Sequence, residues 1–131
     1  MRLRSTTMRL LAASAILSGC GTLGLRDFSA VTLQNNARIM TLERGMTPEQ
    51  VIKHIGPSSN FRVPNPFRSE MYPAGDDIFR VLFFYGGTGL VASILDSDLT
   101  PVVFKNESLD GGGWLYWEST AKQYNIHIRH R

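Results

Sequence analysis

The sequence predicts an α+β domain in which two N-terminal helices pack on a three- to four-stranded antiparallel sheet as a two-layer sandwich. Three observations carry that expectation. A short helix with its own start and stop signals occupies the stretch from Met46 to Pro57. Apolar residues then alternate from Ile78 to Tyr85, which is a strand period rather than a helical one. Turn residues separate further β-rich runs after Leu90, and a chain of 131 residues fits one domain.

The sequence divides into a leader at 1–19, an N-terminal tether at 20–30 and a domain at 31–131. Gly21, Thr22, Leu23, Gly24 and Leu25 lack a clear period, which predicts a tether. From Val31 to Leu42 the apolar positions Val31, Leu33, Ala37, Ile39, Met40 and Leu42 fit a helix, weakened by Asn35 and Asn36. The next helix is sharper. Thr47 is an N-cap, Pro48 suits the first helical position, Gln50 completes a capping box, and Met46 with Val51 has the spacing of a hydrophobic staple. Gly56-Pro57 stops it, which gives a helix from Pro48 to Ile55.

Pro64 and Pro66 confine the next strand to Phe67–Tyr72. In the run Ile78–Tyr85, Phe79, Val81, Phe83 and Tyr85 share one face while Arg80, Leu82 and Phe84 share the other, as in a central strand. Gly86, Gly87 and Gly89 end it, and these are read as positions that need positive backbone angles. Leu90 to Asp98 reads as a loop with room for a turn of helix. Pro101–Lys105 is a strand, and Asn106-Glu107-Ser108 turns it into Leu109 and a Gly111–Trp117 strand. In that strand Trp114 and Tyr116 share one face and Trp117 takes the other, so the uncovered face is the candidate partner surface. Gln123–Ile128 fits either a strand or a short helix.

Arg2, Arg4 and Arg9 precede the apolar run Leu10–Leu17, the layout of an export signal. That run is shorter than the roughly 20 residues a spanning helix needs. Leu17-Ser18-Gly19-Cys20 follows and looks like a bacterial lipobox. It places cleavage between Gly19 and Cys20, and lipidation on Cys20. Cys20 is the only cysteine, so no disulfide competes for it. Multiple acyl chains anchor a domain to a membrane without crossing it. Gly21 in place of an aspartate favours the outer membrane, with the domain facing the periplasm.

The chain carries 14 Lys and Arg against 11 Asp and Glu, but the three leader arginines account for the excess. The rest is balanced, which speaks against a nucleic-acid partner. The basic C-terminal residues His127, Arg129, His130 and Arg131 read as a solvated tail. His54, His127 and His130 lack zinc-site spacing, and Asp76-Asp77 and Asp96-Ser97-Asp98 lack a calcium-loop pattern and read as turn residues. No nucleophile elbow or phosphate loop occurs, so no catalytic, cofactor-binding or metal-binding residues are assigned.

The segment Leu42-Glu43-Arg44-Gly45-Met46-Thr47-Pro48-Glu49-Gln50-Val51, closing with Ile55-Gly56-Pro57, resembles the opening of the SmpA/OmlA (BamE-like) lipoproteins. Asn65–Glu70, Phe79–Tyr85, Leu99–Asn106 and Gly113-Trp114 are similar to small proteobacterial lipoproteins related to that family. Together the two likenesses span about residues 40–117. They imply a BamE-like helix-on-sheet fold, an outer-membrane anchor and an envelope protein partner; no partner-contacting residue of the family carries over. The function this implies is noncatalytic: a protein-interaction module in cell-envelope or outer-membrane assembly or maintenance. A periplasmic binding or inhibitor domain acting on an enzyme is the alternative.

Overall fold

The computed structural model describes residues 25–131, so the expected leader, the expected cleavage between Gly19 and Cys20, the expected lipidation of Cys20 and the first part of the expected tether lie outside the described residues. The elements run β1 (Arg26–Asp27), α1 (Ser29–Ile39), α2 (Pro48–Ile55), β2 (Arg68–Ala74), β3 (Asp77–Tyr85), β4 (Leu90–Val91), β5 (Leu99–Lys105), β6 (Ser108–Gly112) and α3 (Trp114–Gln123). A single 3-10 turn, Asp96–Asp98, precedes β5. The fold is α+β. Its main sheet is antiparallel in the order β2-β3-β5-β6, and β1 pairs with β4 in a separate two-stranded sheet.

The local signals act as the sequence predicts at α2. The Gln50 amide donates to Thr47 Oγ1 at 3.2 Å, and the Thr47 amide donates to Gln50 Oε1 at 2.9 Å. These two bonds satisfy amides that a helix start otherwise leaves unpaired. The β5–β6 hairpin turns through Asn106 and Glu107, both at positive φ (50° and 66°), the mirror-image geometry that matches strand twist. The loop ahead of α2 closes the β6 edge: the Gly45 amide donates to the Leu109 carbonyl at 3.0 Å, and the Leu109 amide donates to the Met46 carbonyl at 2.8 Å.

β3 is central, and both its faces are buried. Phe79, Val81, Phe83 and Tyr85 enter one core with Phe28, Val31, Tyr72, Val103 and Trp117. Leu82 and Phe84 enter the other with Val51, Ile55, Val102, Phe104 and Leu109. The two faces of β3 are divided as its alternation predicts. α2 covers the second core, and α3 covers the first, the face that a two-layer reading leaves open.

α3 replaces the expected Gly111–Trp117 strand. β6 ends at Gly112, and Gly113 at φ +90° turns the chain into the helix. Trp114, Trp117, Ala121 and Tyr124 follow a helical rather than an alternating period; the three aromatic residues pack in the sheet core and Ala121 is buried. Trp117 is fully buried against Tyr72 and Phe79, with ring centroids 5.2 and 6.3 Å away. The proposed exposed aromatic face therefore does not exist: Trp114 and Trp117 lie in the interface between α3 and the sheet. α3 ends at Gln123, and Ile126 and Ile128 continue irregularly against the same core, neither strand nor helix.

The folded unit also begins earlier than Val31. β1 pairs with β4, and Phe28 is buried with its ring edge-on to Tyr85 at 5.5 Å, which removes residues 26–30 from the tether. Of the three glycines after β3, only Gly89 has a positive φ. Gly87 is needed for space instead, since a Cβ there would lie 2.7 Å from the Tyr85 hydroxyl.

Three polar residues on α1 tie it to its neighbours, Asn35 to the sheet and Gln34 and Arg38 to the end of α2. Asn35, fully buried, donates through Nδ2 to the Tyr85 carbonyl at 2.8 Å and to Asn65 Oδ1 at 3.0 Å. Its Oδ1 accepts from Asn65 Nδ2 at 2.7 Å. Asn65 also reaches the Gly56 carbonyl at 3.2 Å, while Gln34 donates to Pro57 and Arg38 to Ile55. The carbonyls at the end of α2 thus find their donors on α1 and on Asn65.

Candidate functional site

The densest cluster of charge among the described residues lies on β2 and is built by strand alternation. Arg68, Glu70 and Tyr72 point to the α3 side of the sheet, while Ser69, Met71 and Pro73 point to solvent. Glu70 is a buried carboxylate, its side chain only 4% exposed. The Tyr72 hydroxyl donates to Glu70 Oε2 at 2.5 Å. Arg68 lies flat over Phe83, 4.4 Å from the ring centroid, and donates through Nη2 to Asp96 Oδ1 at 2.8 Å. Its Nε stands 3.3 Å from Glu70 Oε1 without hydrogen-bond alignment, so that contact is purely ionic.

His127, Arg129, His130 and Arg131 are exposed, as the sequence predicts, but the last three also contact this cluster. The Arg129 amide donates to the Tyr72 hydroxyl at 3.4 Å, its guanidinium sits 4.8 Å over the Tyr72 ring, and Nη2 donates to the Met71 carbonyl at 3.3 Å. His130 stacks on Trp114 at 6.1 Å, and its Nδ1 lies 3.8 Å from Asp96 Oδ2. The Arg131 amide donates to Asp96 Oδ2 at 2.7 Å, while its Nε lies 3.9 Å from Glu70. Glu70 is buried and Asp96 half-buried on this side of the sheet, and carboxylates withdrawn from water require cationic or hydrogen-bond partners.

The electrostatics follow from these contacts. Burial pushes the Asp96 carboxyl up, but the Arg131 amide and the hydrogen bond and charge of Arg68, helped by His130, outweigh it and hold the group below the usual carboxylate value. Burial and the bond to Glu70 raise the Tyr72 hydroxyl against the opposing Arg129. Beside the tail, Asp96, Ser97, Trp114, Glu118 and His130 line an open cleft of about 250 Å³. Its carboxylate at Asp96 accepts from Arg68 through Oδ1 and from the Arg131 amide through Oδ2, so both oxygens are already engaged within the fold.

An apolar groove lies on the opposite face, where Ile39, Leu42, Val102 and Leu109 border Gly111 and Gly112, with Arg44 on the rim. Arg44 donates to the Asp110 carbonyl at 3.2 Å, and Tyr116 bonds the Asp110 carboxylate from the α3 side.

No family model, curated protein or solved structure matches the chain. What the residues do is therefore read from their own placement.

The structure does not bring the three histidines together on a ligand set. His54 bonds Thr41 at 2.7 Å on the α2 surface, His127 is exposed, and His130 lies on Trp114. Among the described residues no group of three or more His, Cys, Asp or Glu is arranged to hold a metal ion, and no helix is long and apolar enough to cross a membrane. Asp98 is a turn residue as expected, accepting from the Leu95 amide at 2.9 Å, whereas Asp96 is the anchor of the tail. Sequence reasoning passed over Arg68 and Glu70. The signal was available in the alternation Arg68, Glu70, Tyr72, which places two charges on the same strand face as a core aromatic.

Proposed function

We propose that the chain is a noncatalytic outer-membrane lipoprotein, anchored through Cys20, whose periplasm-facing domain acts as a protein-interaction module in envelope assembly or maintenance. The observation that carries this reading is the lipobox Leu17-Ser18-Gly19-Cys20, followed within a few residues by an α+β domain that starts at Arg26. The domain's carboxylate cluster supports a structural use: buried Glu70 and half-buried Asp96 are engaged by Arg68, Tyr72 and Arg131.

The test is crosslinking of the mature protein in intact cells, with mass spectrometry of the captured partners and Cys20→Ala as control. Capture of barrel-assembly components by the lipidated form supports envelope assembly. Capture of one periplasmic enzyme in a stoichiometric complex overturns it in favour of an inhibitor domain. Cys20→Ala is expected to leave unprocessed or soluble protein, and unchanged membrane retention of that variant would refute the anchor.

A further inference from the structure

Around the first described residues, basic and apolar groups share one surface. Arg26 and Arg62 line a cleft of about 200 Å³ with Phe28, Phe67 and Ile94. Phe61 beside it is 89% exposed, the most exposed aromatic ring among the described residues, and the Arg62 guanidinium stands 5.5 Å from its centroid. Leu25 is also exposed. Neither Arg26 nor Arg62 forms an ion pair among the described residues, whereas Arg44, Arg68, Arg80 and Arg131 all do. An exposed ring beside one guanidinium, on a surface whose two guanidiniums form no ion pair among the described residues, is the side-chain chemistry that suits the boundary between acyl chains and lipid phosphates.

Reach decides which way this surface faces. The proposal rests on the acylated Cys20 of the preceding reading, and five peptide units from Cys20 to Leu25 span at most about 18 Å. A globular domain of this size is about 34 Å across. The surface at Leu25 is thus held near the bilayer, and the opposite side of the domain cannot take its place. We propose that the Phe61–Arg62 surface lies on the phospholipid bilayer that holds Cys20, with Phe61 entering the interface and Arg26 and Arg62 meeting lipid phosphates.

Met40 supplies the control. It stands at the other end of α1, whose 11 residues separate it from Ser29 by about 16 Å, and it is 86% exposed. The processed, acylated protein carrying Phe61→Cys or Met40→Cys has one reactive thiol, because the sulfur of Cys20 is taken by the lipid. Each is labelled with a small fluorophore and reconstituted on phosphatidylcholine vesicles, with and without a nitroxide at the headgroup. Quenching of the label at 61 and none at 40 is the expected result. Equal quenching at both sites, or stronger quenching at 40, on vesicles that still float with the protein overturns the orientation and leaves the anchor standing. Loss of flotation by the processed protein overturns the anchor, and this placement with it. Both side chains are exposed, so neither substitution disturbs the core.

Discussion

Replacing Asn35 with Ala sets local helix preference against tertiary contact, and the two predict opposite signs. Helix propensity favours Ala over Asn by about 0.5 kcal/mol in a helix interior. The structure opposes this. Asn35 is fully buried and makes three hydrogen bonds, to the Tyr85 carbonyl and reciprocally with the Asn65 amide. Each such bond contributes about 1 kcal/mol net, and a buried partner left unpaired adds to the loss. The expected result is a net destabilisation of about 2–3 kcal/mol, which for a domain near 100 residues lowers the melting temperature by about 10 °C. Urea and thermal unfolding followed by circular dichroism and by the fluorescence of buried Trp117 measure it. A midpoint that stays put or rises would refute the assignment of Asn35 as the joint between α1, the Asn65 loop and β3. A double-mutant cycle with Asn65→Ala should show coupling of about 1 kcal/mol or more, since the two amides bond each other.

Thr47→Ala removes the acceptor for the Gln50 amide and should cost about 1 kcal/mol, read as a lower urea midpoint. Gly111→Ala places a Cβ 2.6 Å from the Tyr116 ring, so the ring must leave its seat on β6; a loss of about 1–3 kcal/mol is expected, and an unchanged midpoint would show that α3 does not pack there. Asp96 titrates below the ordinary 3.8 when folded and returns toward that value when unfolded. Its contribution is therefore complete above that value and is lost as pH falls through the folded pKa. Stability should decline between about pH 5 and pH 2, with a shallower decline in Asp96→Asn, and parallel curves for the two proteins would contradict the tail contacts.

Much of the fold was legible because several decisive signals are local. The cap at Thr47, the stop at Gly56-Pro57 and the alternation from Phe79 to Tyr85 each concern neighbours a few residues apart, and such contacts are encoded in spacing. α3 was misread because short apolar stretches carry both periods: Trp114, Tyr116 and Trp117 fit a strand as far as Trp117, and only Ala121 and Tyr124 complete the helical series. The polar joints were hidden for a different reason. Asn35 and Asn65 are 30 residues apart, and Asp96 and Arg131 are 35 apart, so no window on the sequence brings them together.

The sequence by itself determined the export signal pattern and lipobox as expectations, the α2 helix, the central strand β3 with its two apolar faces, and the α+β class. Only the tertiary structure decided that helices cover both faces of the sheet, that Asn35 bonds Tyr85 and Asn65, and that the exposed basic residues at 129–131 contact the cluster of Glu70, Tyr72 and Asp96. The physical reason is burial. Whether an amide or a carboxylate costs or contributes free energy depends on which partner the folded chain brings to it, and that partner comes from distant sequence.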